Sequence, residues 1–315
     1  MPRVGLVLGS GGLAGTAFHA GVLTALAEAG WDARRADVVV GTSAGSTSAA
    51  LLRAGFPPED YVARVAGAPM SAEGERLLAG MPQLVTPPAV PRSGGRGPAA
   101  AHLALHAVRR PGRVRVGAVA AGLLPAGSRP TADLVGGLGR LHGDGWPAEP
   151  LWICAVRLSD GRRTVFGRDA DATVTVGEAV AASCAIPAYF APVPIGGARY
   201  VDGGVHSLCN VDLLAGLGLD LVLVSAPMST ARWWSARPDV GVRAAVRAQL
   251  GAEVRAVRRS GTPVVVLHPT REDLAVMGHR GMDASRRPAI ARQVHATVRA
   301  RLADGDLLAR LTASR

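Results

Sequence analysis

The residues best suited to chemistry lie at Gly41-Thr42-Ser43-Ala44-Gly45. They follow the apolar run Val38-Val39-Val40 and precede a run of small residues. A G-x-S-x-G pattern between a strand and a helix is the signature of a sharp turn that exposes a serine hydroxyl. The helix that follows aims its partially positive N-terminus at the same point. Ser43 is therefore a candidate nucleophile, although the pentapeptide alone also describes an ordinary helix start.

Two further segments carry related chemistry. Val4-Gly5-Leu6-Val7-Leu8 reads as a short buried strand that runs into Gly9-Ser10-Gly11-Gly12-Leu13-Ala14-Gly15. A glycine-rich turn between strand and helix leaves backbone N–H groups open to an anion. That anion is either a phosphate or the oxyanion of a tetrahedral acyl intermediate. The same loop also fits a tight turn that does nothing more than pack a helix. Downstream, Arg199-Tyr200-Val201-Asp202-Gly203-Gly204 sets one carboxylate between a short apolar stretch and two glycines. The glycines let the backbone pass close to a neighbour and leave Asp202 projecting.

The three segments, in this order, resemble the patatin-like phospholipase family. Ala182-Ser183-Cys184-Ala185-Ile186-Pro187, followed by Phe190-Ala191-Pro192-Val193, is similar to the segment that precedes the family's D-G-G. Asn210 falls where the family tends to carry an asparagine. The resemblance runs from about residue 4 to 225 and implies a serine-dependent lipid acyl hydrolase. It assigns Ser43 as nucleophile and Asp202 as its base, with no histidine between them. The N–H groups of Gly11, Gly12 and Leu13 would form the oxyanion hole. Gly9, Gly15, Gly41, Gly45, Gly203 and Gly204 would be the motif glycines. An acyl-enzyme would form and water would release the acid. Such a dyad needs no metal and no other cofactor. One departure is visible: Ser10 and Ala14 stand where the family loop usually has a glycine and a basic residue. Backbone donors survive both changes, so substrate preference is affected more than reaction type.

The elements that must hold these residues follow an α/β alternation. The resemblance specifies it further, as a three-layer α/β/α sandwich with a mainly parallel central sheet. Strands are predicted at 4–8, 37–41, 151–156, 163–166, 221–224 and 264–267. Helices are predicted at 16–29, 44–54, 56–75, 177–184, 241–259 and 284–313. Ser159-Asp160-Gly161 reads as a hairpin turn. Residues 82–100, rich in Pro and Gly, read either as a lid or as a mobile surface loop. At 315 residues the chain is long enough for a large core. The candidate residues come from both halves, so one domain over 1–315 is expected.

The formal charge is +11, with 35 arginines and no lysine. The arginines are scattered and no stacking aromatics are interleaved, which argues against nucleic acid. Contact with an anionic membrane surface is compatible with this charge. Cys154, Cys184 and Cys209 have neither disulfide nor zinc spacing, and are expected to be reduced. Val4 to Ala27 holds no charged residue, and Ala25-Leu26-Ala27 resembles a signal cleavage site. However, cleavage there would remove the glycine loop, and six glycines make a poor membrane helix. A cytoplasmic protein is the expectation, and secretion is the alternative.

Three other functions stay open at this level. A nucleotide-binding protein would use the Gly9–Gly15 loop, but its fingerprint places an acid at the end of the second strand, and Asp37 precedes that strand. A Ser-His-Asp α/β-hydrolase or acyltransferase would draw on His206, His268 or His279. A lipid-binding module without catalysis would keep the fold and not the turnover.

Overall fold

The computed structural model describes residues 2–79, 97–109, 115–131, 137–169, 173–230, 240–303 and 305–312. Eight strands form one sheet: β1 (Val4–Leu8), β2 (Val38–Thr42), β3 (Leu151–Arg157), β4 (Arg163–Phe166), β5 (Val193–Ile195), β6 (Ala198–Asp202), β7 (Leu221–Ser225) and β8 (Val264–Leu267). Their order is β5-β6-β3-β2-β1-β7-β8, with β4 paired to β3. The β3-β2-β1-β7-β8 stretch is parallel throughout. Antiparallel pairs join β3 to β4, β3 to β6 and β5 to β6.

The central strands are apolar at nearly every position because both faces are covered. Leu6 and Leu8 of β1 face a core shared with α1 (Gly12–Glu28), α2 (Ala44–Arg53) and the helices Val176–Ser183 and Arg287–Ala303. Val7, between them, faces the second core with Leu250, Val254 and Val257 of the helix Val240–Arg259. The alternation of side chains along one strand thus builds three layers. The charge-free stretch from Val4 to Ala27 is β1 and α1, both buried. Its apolarity reflects a helix covered nearly all round. No helix among the described residues is long and apolar enough to cross a membrane.

Several expected boundaries move. The first helix starts at Gly12 rather than 16, because the Ala14 N–H finds a partner in the Gly281 carbonyl at 2.9 Å. The helix expected over 56–75 is two short helices, Tyr61–Ala66 and Ala72–Leu77, with Gly67 at φ 68° ending the first. The helix expected over 284–313 is a 3-10 turn at Ala284–Arg286, then Arg287–Ala303, then Asp306–Thr312 after Gly305. Of the expected 82–100 loop, 82–96 lies outside the described residues. Residues 97–100 pack instead: Pro98 bridges Pro125, and the Ala100 N–H bonds the Gly122 carbonyl.

Candidate active site

Ser43 stands between the end of β2 and the start of α2, at φ 53° and ψ −120°. This is sparsely populated backbone for a residue with a side chain, at a cost of about 1–3 kcal/mol. Neighbours hold it there. Its N–H donates to Ser183 Oγ at 2.9 Å, and Ser183 Oγ in turn donates to the Cys154 carbonyl at 2.7 Å. Its carbonyl accepts from the Ser46 N–H at 2.8 Å and from Ser46 Oγ at 2.7 Å. Gly45 allows the turn for a plain reason: a Cβ there would collide with the Leu8 carbonyl at the end of β1.

Asp202 ends β6 and is buried. One carboxylate oxygen accepts the Gly204 N–H at 2.7 Å, and its own N–H donates to the Ala185 carbonyl at 3.0 Å. Burial raises its pKa from 3.8 to about 6, against the opposing pull of the Ser43 hydroxyl and the Gly204 N–H. Gly203 lies so close to the Cys154 carbonyl that a Cβ would clash with it. Asn210 ties this loop to the elbow. Its amide donates to the Ser207 carbonyl at 2.7 Å and to Thr42 Oγ1, one residue before the nucleophile, at 3.1 Å.

The glycine loop leaves the end of β1 beside them. The Gly9 N–H donates to the Ser225 carbonyl at 3.0 Å and the Ser10 N–H to the Leu208 carbonyl at 2.7 Å. His19 braces the loop from within α1. Its Nε2 donates to the Gly9 carbonyl at 2.7 Å, and its Nδ1 accepts from Ser225 Oγ at 2.8 Å. Burial pushes its pKa down to about 4, which keeps this tautomer neutral. The N–H groups of Ala14 and Gly15 are spent on Gly281 and Gly11 carbonyls. Those of Gly11, Gly12 and Leu13 have no hydrogen-bond partner among the described residues.

Gly11, Gly12, Ser43, Asp202 and Gly204 line one cavity of about 360 Å³. Leu13 does not line it. Gly9, Gly15, Gly41, Gly45 and Gly203 shape the surrounding backbone. The cavity walls are mostly apolar, from Ile186, Pro187, Val205, Leu208, Met228 and Met282. Met228 and Met282, with Gly281 beside them on the lining, carry no local signal in the sequence, since they reach the loop only through tertiary packing. No histidine among the described residues lines the cavity. His206 is held near 4 by burial and by Arg163 and Arg115. His268 bonds Ser229 Oγ at 3.1 Å in a separate groove. Asp37 accepts the Val4 N–H at 2.7 Å, at the opposite end of the strands from the glycine loop, so the nucleotide fingerprint has no acid in place. Among the described residues no group of three or more His, Cys, Asp or Glu side chains could hold a metal.

Residues 6–84 and 112–215 match the Patatin family, described as patatin-like phospholipase. The chain belongs to the patatin-like phospholipase family. No curated protein matches it significantly. Among solved structures it is similar to VipD from Legionella pneumophila, at 15% identity and TM-score 0.46, over 97% of this chain and 67% of that one. It is also similar to the type III effector protein ExoU, at 20% identity and TM-score 0.39, over 99% of this chain and 54% of that one. Human GIVD cytosolic phospholipase A2, in complex with methyl gamma-linolenyl fluorophosphonate, matches at 13% identity and TM-score 0.34, over 98% of this chain and 58% of that one. The chain therefore spans little more than half the length of the last two.

Proposed function

We propose that this patatin-like chain hydrolyses lipid carboxylic esters through a Ser43–Asp202 dyad and an acyl-enzyme. Asp202 takes the proton as Ser43 Oγ attacks the ester carbonyl carbon. The carbonyl oxygen becomes an oxyanion, held by the free N–H groups of Gly11 and Gly12, which line the cavity. The C–O bond to the alcohol then breaks, and Asp202 returns its proton to the leaving oxygen. Water attacks the acyl-enzyme, gives a proton to Asp202 and splits the Oγ–C bond. The acid leaves, and Ser43 regains its proton. One observation carries this reading: a strained serine and a carboxylate with raised pKa share one cavity, lined among the described residues by no imidazole.

The lipid surface is proposed to meet the helices His102–Arg109 and Val116–Leu123. Leu105, Val108, Val116, Leu123 and Leu124 on and beside them are five of the six exposed large hydrophobic residues among those described. Exposed apolar clusters of this kind mark interaction sites. Gly117 packs against the carbonyl of Val205, a cavity-wall residue, so this patch adjoins the cavity.

The test is turnover of p-nitrophenyl esters, from acetyl to palmitoyl, by wild type and Ser43→Ala. Loss of turnover and of labelling by a serine-directed phosphonate in the variant is the expected result. Equal loss in any His→Ala variant at 206, 268 or 279 would replace the dyad with a triad. Labelling without turnover on any ester would favour a lipid-binding role.

A further inference from the structure

A second cavity, of about 910 Å³, lies along the edge of the sheet at β8, and shares no lining residue with the Ser43 cavity. Its walls carry Arg247, Arg255, Arg258, Arg301, Arg310 and His268, and no Asp or Glu among the described residues. The helix Val240–Arg259 supplies Ala244, Arg247, Ala248, Gly251, Arg255 and Arg258 to it, a spacing that puts them all on one face. The small residues leave a floor over which long arginines can fold.

Some of these arginines have work within the fold. Arg258 donates to the Val264 carbonyl at 2.8 Å and Arg301 to the Val266 carbonyl at 3.1 Å, covering the open side of the edge strand. Arg310 pairs with Asp306 at 3.0 Å. Edge cover does not account for Arg247 and Arg255. Both are exposed, and neither side chain has a hydrogen bond or ion pair among the described residues. The charge of Arg247 is felt at the groove's end, where, after burial and Arg301, it helps push His268 down to about 4. A guanidinium has five donors, so Arg258 and Arg301 keep free N–H groups even while they cap carbonyls.

We infer that this groove binds a ligand carrying two or more phosphate groups, clamped by Arg247 and Arg255 with Arg258 and Arg301 beneath. Four guanidinium groups, those of Arg247, Arg255, Arg258 and Arg301, with no ion pair to a carboxylate among the described residues favour a compact polyanion, and the planar fork matches phosphate oxygens two at a time. The volume falls within the range of small-molecule sites. The phosphates come either from a free polyphosphate or from a phospholipid headgroup.

Titration calorimetry with tripolyphosphate, and sedimentation with phosphatidylcholine vesicles with and without cardiolipin, test this on the whole chain. The wild type should bind tripolyphosphate, more weakly as salt rises. Arg247→Gln with Arg255→Gln should weaken binding by about tenfold or more. The same double variant should keep the wild-type melting temperature and ester turnover, which separates this result from any failure of the Ser43–Asp202 reading. Vesicle binding that needs cardiolipin and is competed by tripolyphosphate would assign the headgroup source. Tripolyphosphate binding without vesicle binding would assign the free one. Absence of both, or binding that the double variant leaves unchanged, would overturn the site. So would a single-stranded oligonucleotide that displaces tripolyphosphate and binds much more tightly through the same arginines.

Discussion

The Ser183 hydroxyl accepts the Ser43 N–H at 2.9 Å and donates to the Cys154 carbonyl at 2.7 Å. One buried side chain thus fastens the turn that carries the nucleophile to the neighbouring strand. Ser183→Ala removes both bonds and leaves a buried N–H and a buried carbonyl unpaired. The loss should be ~2 kcal/mol. It should also lower kcat more than it raises KM, because the hydroxyl holds the position of Ser43 and does not line the cavity. Chemical denaturation and steady-state kinetics on one preparation check both. Wild-type kcat in a destabilised variant would show that the elbow holds without this clamp.

Ser43 itself stores strain at φ 53°. Glycine adopts such backbone without a Cβ penalty. Ser43→Ala keeps the Cβ and the strain, whereas Ser43→Gly releases it. Both should be inactive, but the glycine variant should be more stable than the alanine variant by ~1 kcal/mol. Equal denaturation midpoints for the two would mean that the turn is relaxed.

Asp202 titrates with a pKa raised to about 6 by burial. As a base it must be ionised, so kcat/KM should fall as pH drops through about 6. The stability effect has the opposite direction. The folded carboxyl holds its proton more tightly than the unfolded one at 3.8. Ionised Asp202 therefore destabilises the fold above pH 6, by up to ~3 kcal/mol, and this cost vanishes below pH 4. Asp202→Asn should be inactive and more stable than wild type at pH 8, with no advantage at pH 4. Melting curves at the two values decide it.

The parts of this fold that announce themselves in the sequence are those where local chemistry and tertiary structure agree. Val38–Val40 is uniformly apolar because β2 is covered on both faces, and the glycines at 45 and 203 are required by backbone contacts with Leu8 and Cys154. The same agreement makes Ser43 and Asp202 visible as candidates. Their meeting is not local, since β2 and β6 both flank β3 and are far apart in the chain. The cavity wall is harder to read. Met282 and the Gly281 carbonyl reach the glycine loop from near the end of the chain, and an ordinary Gly-Met pair gives no hint of it. The broken helix over 284–313 misleads for a related reason. Its apolar periodicity continues across Gly305, whose positive φ ends one helix before the next begins.

Ser10 stands where the family loop usually has glycine, and its hydroxyl is buried without a partner among the described residues. It is packed toward Gly204, next to Asp202, and its oxygen is closed off from solvent. A buried hydroxyl without a partner has lost its hydration and gained nothing in exchange. Ser10→Ala keeps the Cβ, the loop backbone and the three free N–H groups that follow, and removes only the unsatisfied oxygen. It should raise stability by ~1 kcal/mol and leave ester turnover within about twofold of wild type, since the hydroxyl bonds neither Ser43 nor Asp202. Ser10→Gly should forfeit part of that gain, because glycine gives the unfolded chain more freedom. Denaturant midpoints across the three proteins measure the order Ala, Gly, Ser from most to least stable. A destabilised alanine variant would reveal that the hydroxyl is satisfied by a bound water, and a drop in turnover with it would place that water beside Asp202.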